Sequence, residues 1–221
     1  VVEQYSKSCS REDRLAALAR IAEEISRCTR CPLHASRTRT VPGEGDPCPA
    51  VVFVGEAPGF NEDQQGRPFV GAAGALLTEL IESIGLKRSD VFITNVVKCR
   101  PPQNRDPKEE EIAACLPFLR EQLEILKPRI IVMLGRHSAR TILGVYGQKG
   151  VVSIMSIRGR VFTVRAEWGE VLLLPTLHPA AALYNPRLRS LLEEDFRTLK
   201  GLLGEGEKPR SVTLDSFFLG G

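Results

Sequence analysis

The chain has 221 residues, 43% apolar and 26% charged, enough to bury a core and short enough for one domain. Its longest apolar runs, Ile130 to Leu134 and Val171 to Leu174, fall far below the roughly 18 residues of a membrane span, and no signal-peptide core is visible. An intracellular protein without membrane contact is expected, cytoplasmic in an archaeon or bacterium.

The net charge of +3 conceals an uneven distribution. Between Lys127 and Arg165 lie eight basic residues and no acid, whereas Glu109 to Glu111 and Glu193 to Asp195 are acidic. Such segregation predicts a basic face that can meet a polyanion such as DNA or RNA.

Arg11 to Arg27 carries Leu15, Leu18, Ile21, Ala22 and Ile25 at helical spacing, an amphipathic first helix. Val51 to Val54 is a β-branched run ending in Gly55, followed by a Gly/Pro-rich loop and a helix from about Ala72 to Ile84 closed by Gly85. The pattern recurs in Val91 to Val97 with a helix near Lys108 to Leu126, and in Ile130 to Leu134 with Arg136 to Leu143. Val151 to Val164 and Val171 to Leu174 read as further strands, and Pro186 to Leu203 as a closing helix with Leu188, Leu191, Leu192, Phe196 and Leu199 on one stripe. Serial strand and helix units predict an α/β three-layer sandwich, a central mostly parallel four-stranded sheet flanked by helices, over residues 1–203. Residues 204–221 read as a linker and a tail too short for a core of its own.

In such a sheet the ligand site lies at the carboxyl ends of the strands, in the loops that begin near Gly55, Asn95, Gly135 and Pro175. None contains GxGxxG or GxxxxGK[ST], which argues against an ordinary dinucleotide or P-loop site. The six cysteines favour metal binding over a disulfide framework in an intracellular chain. Cys28 and Cys31 form a CxxC after the first helix, and Cys99 and Cys115 follow the second strand and enter the next helix. Arg27, Arg30, Lys98 and Arg100 would offset the charge of four thiolates, and zinc or an iron-sulfur cluster would satisfy the set. Cys9 and Cys48 lack such a pairing and are either free or joined to each other.

The first-strand loop reads Gly55-Glu56-Ala57-Pro58-Gly59-Phe60-Asn61-Glu62-Asp63, then Gly66-Arg67-Pro68-Phe69-Val70-Gly71. The loop after the second strand contains Thr94-Asn95-Val96-Val97-Lys98-Cys99-Arg100-Pro101-Pro102, then Asn104-Arg105, and after the last strand comes His178-Pro179-Ala180-Ala181-Ala182-Leu183. With the cysteines, these ordered motifs resemble the family 4 uracil-DNA glycosylases, the thermostable iron-sulfur type, over about residues 15 to 200.

The resemblance implies a monofunctional enzyme that flips uracil out of single- or double-stranded DNA, hydrolyses its N-glycosidic bond and holds a [4Fe-4S] cluster on Cys28, Cys31, Cys99 and Cys115. Uracil presents an O4 acceptor and an N3 donor, which one fixed amide matches and cytosine does not, so Asn95 is the expected reader. Phe69 would stack on the flipped base, and His178 would stabilise charge developing on O2. Glu56 is the carboxylate expected to stabilise the sugar cation and orient water. The better-known uracil glycosylases have an Asp where this chain has Ala57. Gly59 stands where an excluding Tyr occurs elsewhere, so Glu62 would wall off a thymine methyl, unless it caps a helix. Arg67 and Arg105 are expected on phosphates, and Ala182, Leu183 or Tyr184 in the gap the base leaves.

Two other readings stand beside this one. A covalent uracil-DNA-binding homologue would carry a His in a basic insertion near the second strand, but Lys98 to Lys108 contains none. A noncatalytic DNA-associated metal module is the other. The tail, Ser211-Val212-Thr213-Leu214-Asp215-Ser216-Phe217-Phe218, resembles a sliding-clamp-binding peptide with Leu214, Phe217 and Phe218 as anchors, Ser211 replacing the usual Gln. A monomer is expected.

Overall fold

Strands that are apolar at every position must be covered on both faces, and this requirement sets the architecture. A computed structural model describes residues 10–147, 153–204 and 212–213. In it β2 (Val51–Gly55) and β4 (Ile130–Leu134) are buried throughout. They pair in parallel with each other, β2 also with β3 (Phe92–Asn95) and β4 also with β6 (Gly169–Thr176). These four strands are the expected parallel sheet.

Short edge strands extend it to seven, in the order β1-β3-β2-β4-β6-β5-β7. β1 (Glu44–Gly45) runs antiparallel to β3, and β5 (Phe162–Ala166) antiparallel to β6. β7 (Val212–Thr213) lies parallel to β5, so these two described residues of the tail join the sheet instead of standing apart from it. Leu214, Phe217 and Phe218 lie outside the described residues.

Successive side chains of each strand point to opposite faces, which divides the core in two. Val52, Val54, Ile131 and Met133 pack under α1 (Arg11–Ser26), α4 (Glu109–Leu126) and α5 (Arg136–Val145). Val51, Phe53, Ile130 and Val132 pack on the other side under α3 (Ala72–Ser83) and α8 (Pro186–Leu203), with Phe53 stacked on Phe196 at 5.8 Å. Three layers result, as the alternation of elements predicts. The described residues also include the short α-helices α2 (Phe60–Gln65), α6 (Ile154–Ile157) and α7 (Pro179–Ala182).

The strand expected over Val151 to Val164 is corrected. Ile154–Ile157 is helical, Gly159 turns the chain at φ +71°, and the strand begins only at Phe162. An apolar run of that length does not by itself distinguish a strand from a helical turn.

The segregated charges also pair through space. Arg136 binds Asp106, Arg140 binds Glu109 at 2.7 Å, and Arg158 holds buried Asp195 at 2.6 Å. Three of the eight basic residues in the run Lys127 to Arg165 are thereby paired with acids from distant segments. No helix among the described residues is long and apolar enough to cross a membrane.

Candidate active site

Because β2 and β3 are parallel and in register, Gly55 and Asn95 end side by side, and Leu134 ends beside Thr176 in the same way. The loops that leave these ends enclose a cleft of about 330 Å³ lined by Glu56, Ala57, Gly59, Glu62, Phe69, Asn95, Arg105 and His178, among others. The expected pocket residues are therefore brought together.

Asn95 is only 2% exposed, and Oδ1 of its amide is a buried atom with no hydrogen-bond partner. A buried acceptor left open costs about 1–3 kcal/mol, so it marks a place where a ligand donor belongs. The room for it comes from Gly55, where a Cβ would lie 2.3 Å from Asn95 Oδ1 and 2.7 Å from Phe69 Cζ.

Behind Asn95, Lys98 is completely buried, and three acceptors take its ammonium protons: Asn95 O at 2.7 Å, Thr94 Oγ1 at 2.7 Å and Gln122 Oε1 at 2.6 Å. Burial pulls its pKa down to about 7. The strand end that carries Asn95 is thus fixed from the interior.

Phe69 adopts φ +50°, a left-handed conformation that a bulky residue enters only when its surroundings impose it. Two features impose it here. The Phe69 carbonyl lies so close to Gly74 of α3 that a Cβ there would approach it to 1.8 Å. Glu62 accepts the backbone N–H groups of Val70 at 2.9 Å and Gly71 at 3.0 Å with one oxygen, and that of Gly59 at 3.1 Å with the other. Glu62 therefore caps α2 and pins the Phe69 loop while lining the cleft.

His178 caps α7, its Nδ1 accepting the Ala180 N–H at 3.2 Å. Burial pulls its pKa down to about 4, with Glu62 acting weakly against, so the ring is neutral at ordinary pH. With Nδ1 an acceptor, the single ring proton resides on Nε2, free to donate. The ring also stacks on Phe69, centroids 5.6 Å apart.

At the cleft rim, Glu56 stands 4.0 Å from His137, which is 3.1 Å from Asp106. Burial raises the Glu56 carboxyl above its ordinary range, with His137 and Arg136 opposing the rise and Asp106 adding to it. Asp106 and Asn104 also line the cleft, and no sequence motif assigns His137 or Asp106 a role there. His137 sits two residues beyond Gly135 in the first turn of α5, directly after the end of β4, where the strand-end rule points.

The expected DNA contacts fare unequally. Arg67 and Arg105 are each held by a carboxylate, Arg67 by Glu44 at 2.7 Å and Arg105 by buried Glu111 at 2.6 Å, which suits them to shaping loops. Ala182 is corrected: at 3% exposure it belongs to the core, because α7 packs that side inward. Leu183 packs partly on the same core, whereas Tyr184 is 93% exposed beside the site.

On the other side of Lys98, the free cysteines Cys28, Cys31, Cys99 and Cys115 face one small apolar void with Arg37 and Phe118. Burial raises the thiols of Cys31 and Cys99 and pushes Cys115 up to about 11. Arg37 donates to Cys99 Sγ and the Lys98 N–H to Cys115 Sγ, each at 3.3 Å. Cys48 is disulfide-bonded, and Cys9 lies outside the described residues.

Residues 42–200 match the family model of the uracil DNA glycosylase superfamily, the class that fold and cleft define. Among curated proteins, the chain is 53% identical to a type-4 uracil-DNA glycosylase of Sulfurisphaera tokodaii, covering 93% of this chain and 91% of that one. It is 52% identical to that of Saccharolobus solfataricus (90% and 91% covered) and 46% identical to that of Thermotoga maritima (83% and 93%). The chain belongs to the type-4 uracil-DNA glycosylase family.

Proposed function

We propose that the protein removes uracil from DNA by hydrolysing the N-glycosidic bond, initiating base excision repair. The observation that carries this reading is the buried, unpartnered Asn95 Oδ1 in the cleft. Uracil N3–H supplies the missing donor, and O4 accepts from the amide nitrogen of the same side chain. Cytosine reverses both polarities and leaves two buried groups unpaired, the kind of mismatch that polar sites reject strongly.

The remaining groups fit the chemistry. With the base flipped into the cleft, Phe69 offers it a stacking face. As the C1′–N1 bond breaks, the electron pair moves to the base, and the His178 Nε2–H donor strengthens its bond to O2. Positive charge on the sugar is met by the Glu56 carboxylate, which also orients water. Water oxygen bonds to C1′, the leaving base takes up a proton, and an abasic site remains with both phosphodiesters intact. Tyr184 is the exposed side chain available to fill the vacated stack.

The four thiols suit a [4Fe-4S] cluster better than one zinc. Among the described residues no three cysteine sulfurs fall within 4.8 Å of one another, the packing a single ion with Zn–S bonds of about 2.3 Å requires. Two N–H···S bonds and an apolar shell suit a cluster bound by thiolates. When bound, the cluster supplies cross-linking of the segment after α1 to β3 and α4, and no reaction step passes through it.

The tail, whose Val212 and Thr213 pair with β5, is read as a clamp-docking peptide not needed for catalysis, and the enzyme as an intracellular monomer. Truncation after Lys208 is expected to abolish clamp binding while leaving glycosylase activity unchanged.

An oligonucleotide with one labelled uracil tests the activity. Free uracil and a backbone that breaks only on alkaline treatment are expected. A protein–DNA adduct would favour the covalent homologue, and binding without release the noncatalytic module.

A further inference from the structure

His137 takes no part in the chemistry described above, yet it stands beside the one carboxylate to which that chemistry assigns the sugar cation. Its position follows from the fold. β4 ends at Leu134, Gly135 turns at φ +89°, and α5 begins at Arg136, so the first turn carries His137 beside Glu56 and Asp106, which line the cleft. Its Nε2 lies 3.1 Å from Asp106 Oδ2 and 4.0 Å from Glu56 Oε1.

The same nitrogen is 3.1 Å from Arg136 Nε. It therefore faces two carboxylates and one guanidinium. As a neutral acceptor it can take the Arg136 N–H, and as an imidazolium it donates to Asp106 and faces Glu56. Counting formal charges, Glu56, Asp106 and Arg136 together carry one net negative charge, which the imidazolium cancels. The His137 side chain is 18% exposed and that of Glu56 27%, so water screens this group only partly. Arg136 binds Asp106 through a terminal nitrogen, and among the described residues His137 is the cationic partner within 4.0 Å of a Glu56 oxygen.

The geometry points to His137 as a positioning residue for base excision: its imidazolium is the counter-cation that keeps the Glu56 carboxylate ionised and turned toward the cleft. This rests on the assignment of the sugar cation to Glu56. The groups that act on Glu56 are His137 and Arg136 from α5 and Asp106 from the loop before α4. Of these, only His137 carries an imidazole, which can exist as a neutral ring or as a cation. Because burial raises the Glu56 carboxyl, the nearby cation extends the acidic range over which the carboxylate stays charged.

Single-turnover uracil release measured across the acid range tests this. In His137→Gln the acid limb should move up by roughly one pH unit, making release about tenfold slower on that limb, as expected for one unit charge at this distance in a partly screened site. His137→Lys, which restores a cation, should return the limb toward that of the parent. A purely structural role would lower stability equally in both variants without moving the limb.

Linkage supplies a second readout that does not depend on activity. If His137 and Glu56 are coupled, Glu56→Gln lowers the His137 titration midpoint, followed by NMR, and His137→Gln raises the Glu56 midpoint by the same amount. An unchanged limb in His137→Gln, or an unchanged His137 midpoint in Glu56→Gln, overturns the inference. Parent-rate cleavage by Glu56→Gln would instead remove the assignment of Glu56, a separate failure.

Discussion

Phe69 and His178 stack with ring centroids 5.6 Å apart and planes inclined by 29°, although one belongs to the loop before α3 and the other caps α7. The contact ties the face that would hold a flipped base to the group that would receive its charge. Replacing Phe69 by Leu keeps apolar bulk but removes the aromatic face. Single-turnover release should fall about ten- to a hundredfold, consistent with about 1–3 kcal/mol for a base on an aromatic ring. Retained activity would assign Phe69 to the core alone.

Gly55 has an ordinary negative φ, so alanine there strains no backbone and only the space is at issue. The added methyl would collide with Asn95 Oδ1 and the Phe69 ring, displacing both. Gly55→Ala is expected to fold and to lose at least about a hundredfold in rate, the scale of a misplacement of roughly 1 Å. Circular dichroism together with uracil release separates this from unfolding.

Burial of neutral His178 makes stability depend on pH. Its folded pKa of about 4 lies below the ordinary 6.5, so the unfolded chain binds a proton that the native one refuses. The contribution is fully present above pH 6.5, falls as pH drops toward about 4 and then levels off. Over that window the parent should lose up to about 3 kcal/mol through this group. Denaturant melts of the parent and of His178→Asn at several pH values measure it, and the variant should lose correspondingly less.

For the thiol site, anaerobically purified protein should be brown and contain iron and inorganic sulfide in equal amounts. Cys99→Ser should reduce both and lower the thermal midpoint, because the segment after α1 loses its tie to β3 and α4. A colourless protein with one zinc would overturn the cofactor assignment.

The parts legible in the sequence are those encoded by local pattern. Val51 to Gly55 and Ile130 to Leu134 declare themselves as strands because burial on both faces leaves no polar position. Asn95 and His178 follow from the strand-end rule together with their neighbours. What escaped depends on pairing through space. Nothing near Arg105 in the chain announces that Glu111, a turn into α4, will hold its guanidinium, nor does the run Lys127 to Arg165 reveal Asp106, Glu109 and Asp195 as partners. The side of α7 that Ala182 occupies is fixed by packing against α3 and α8, which no two-residue context encodes. Edge strand β1 is two residues long, too short for a periodicity.

The central claim is that Asn95 reads uracil, and discrimination by one substitution tests it most directly. In Asn95→Asp the donor to O4 is replaced by an oxygen that can accept from the cytosine amino group. Single-turnover release from matched oligonucleotides containing uracil or cytosine should show slower cleavage of uracil and a narrowed preference over cytosine. If Asn95→Asp instead releases uracil at the parent rate and rejects cytosine as strongly as the parent, Asn95 does not read the base and the proposed pocket is wrong.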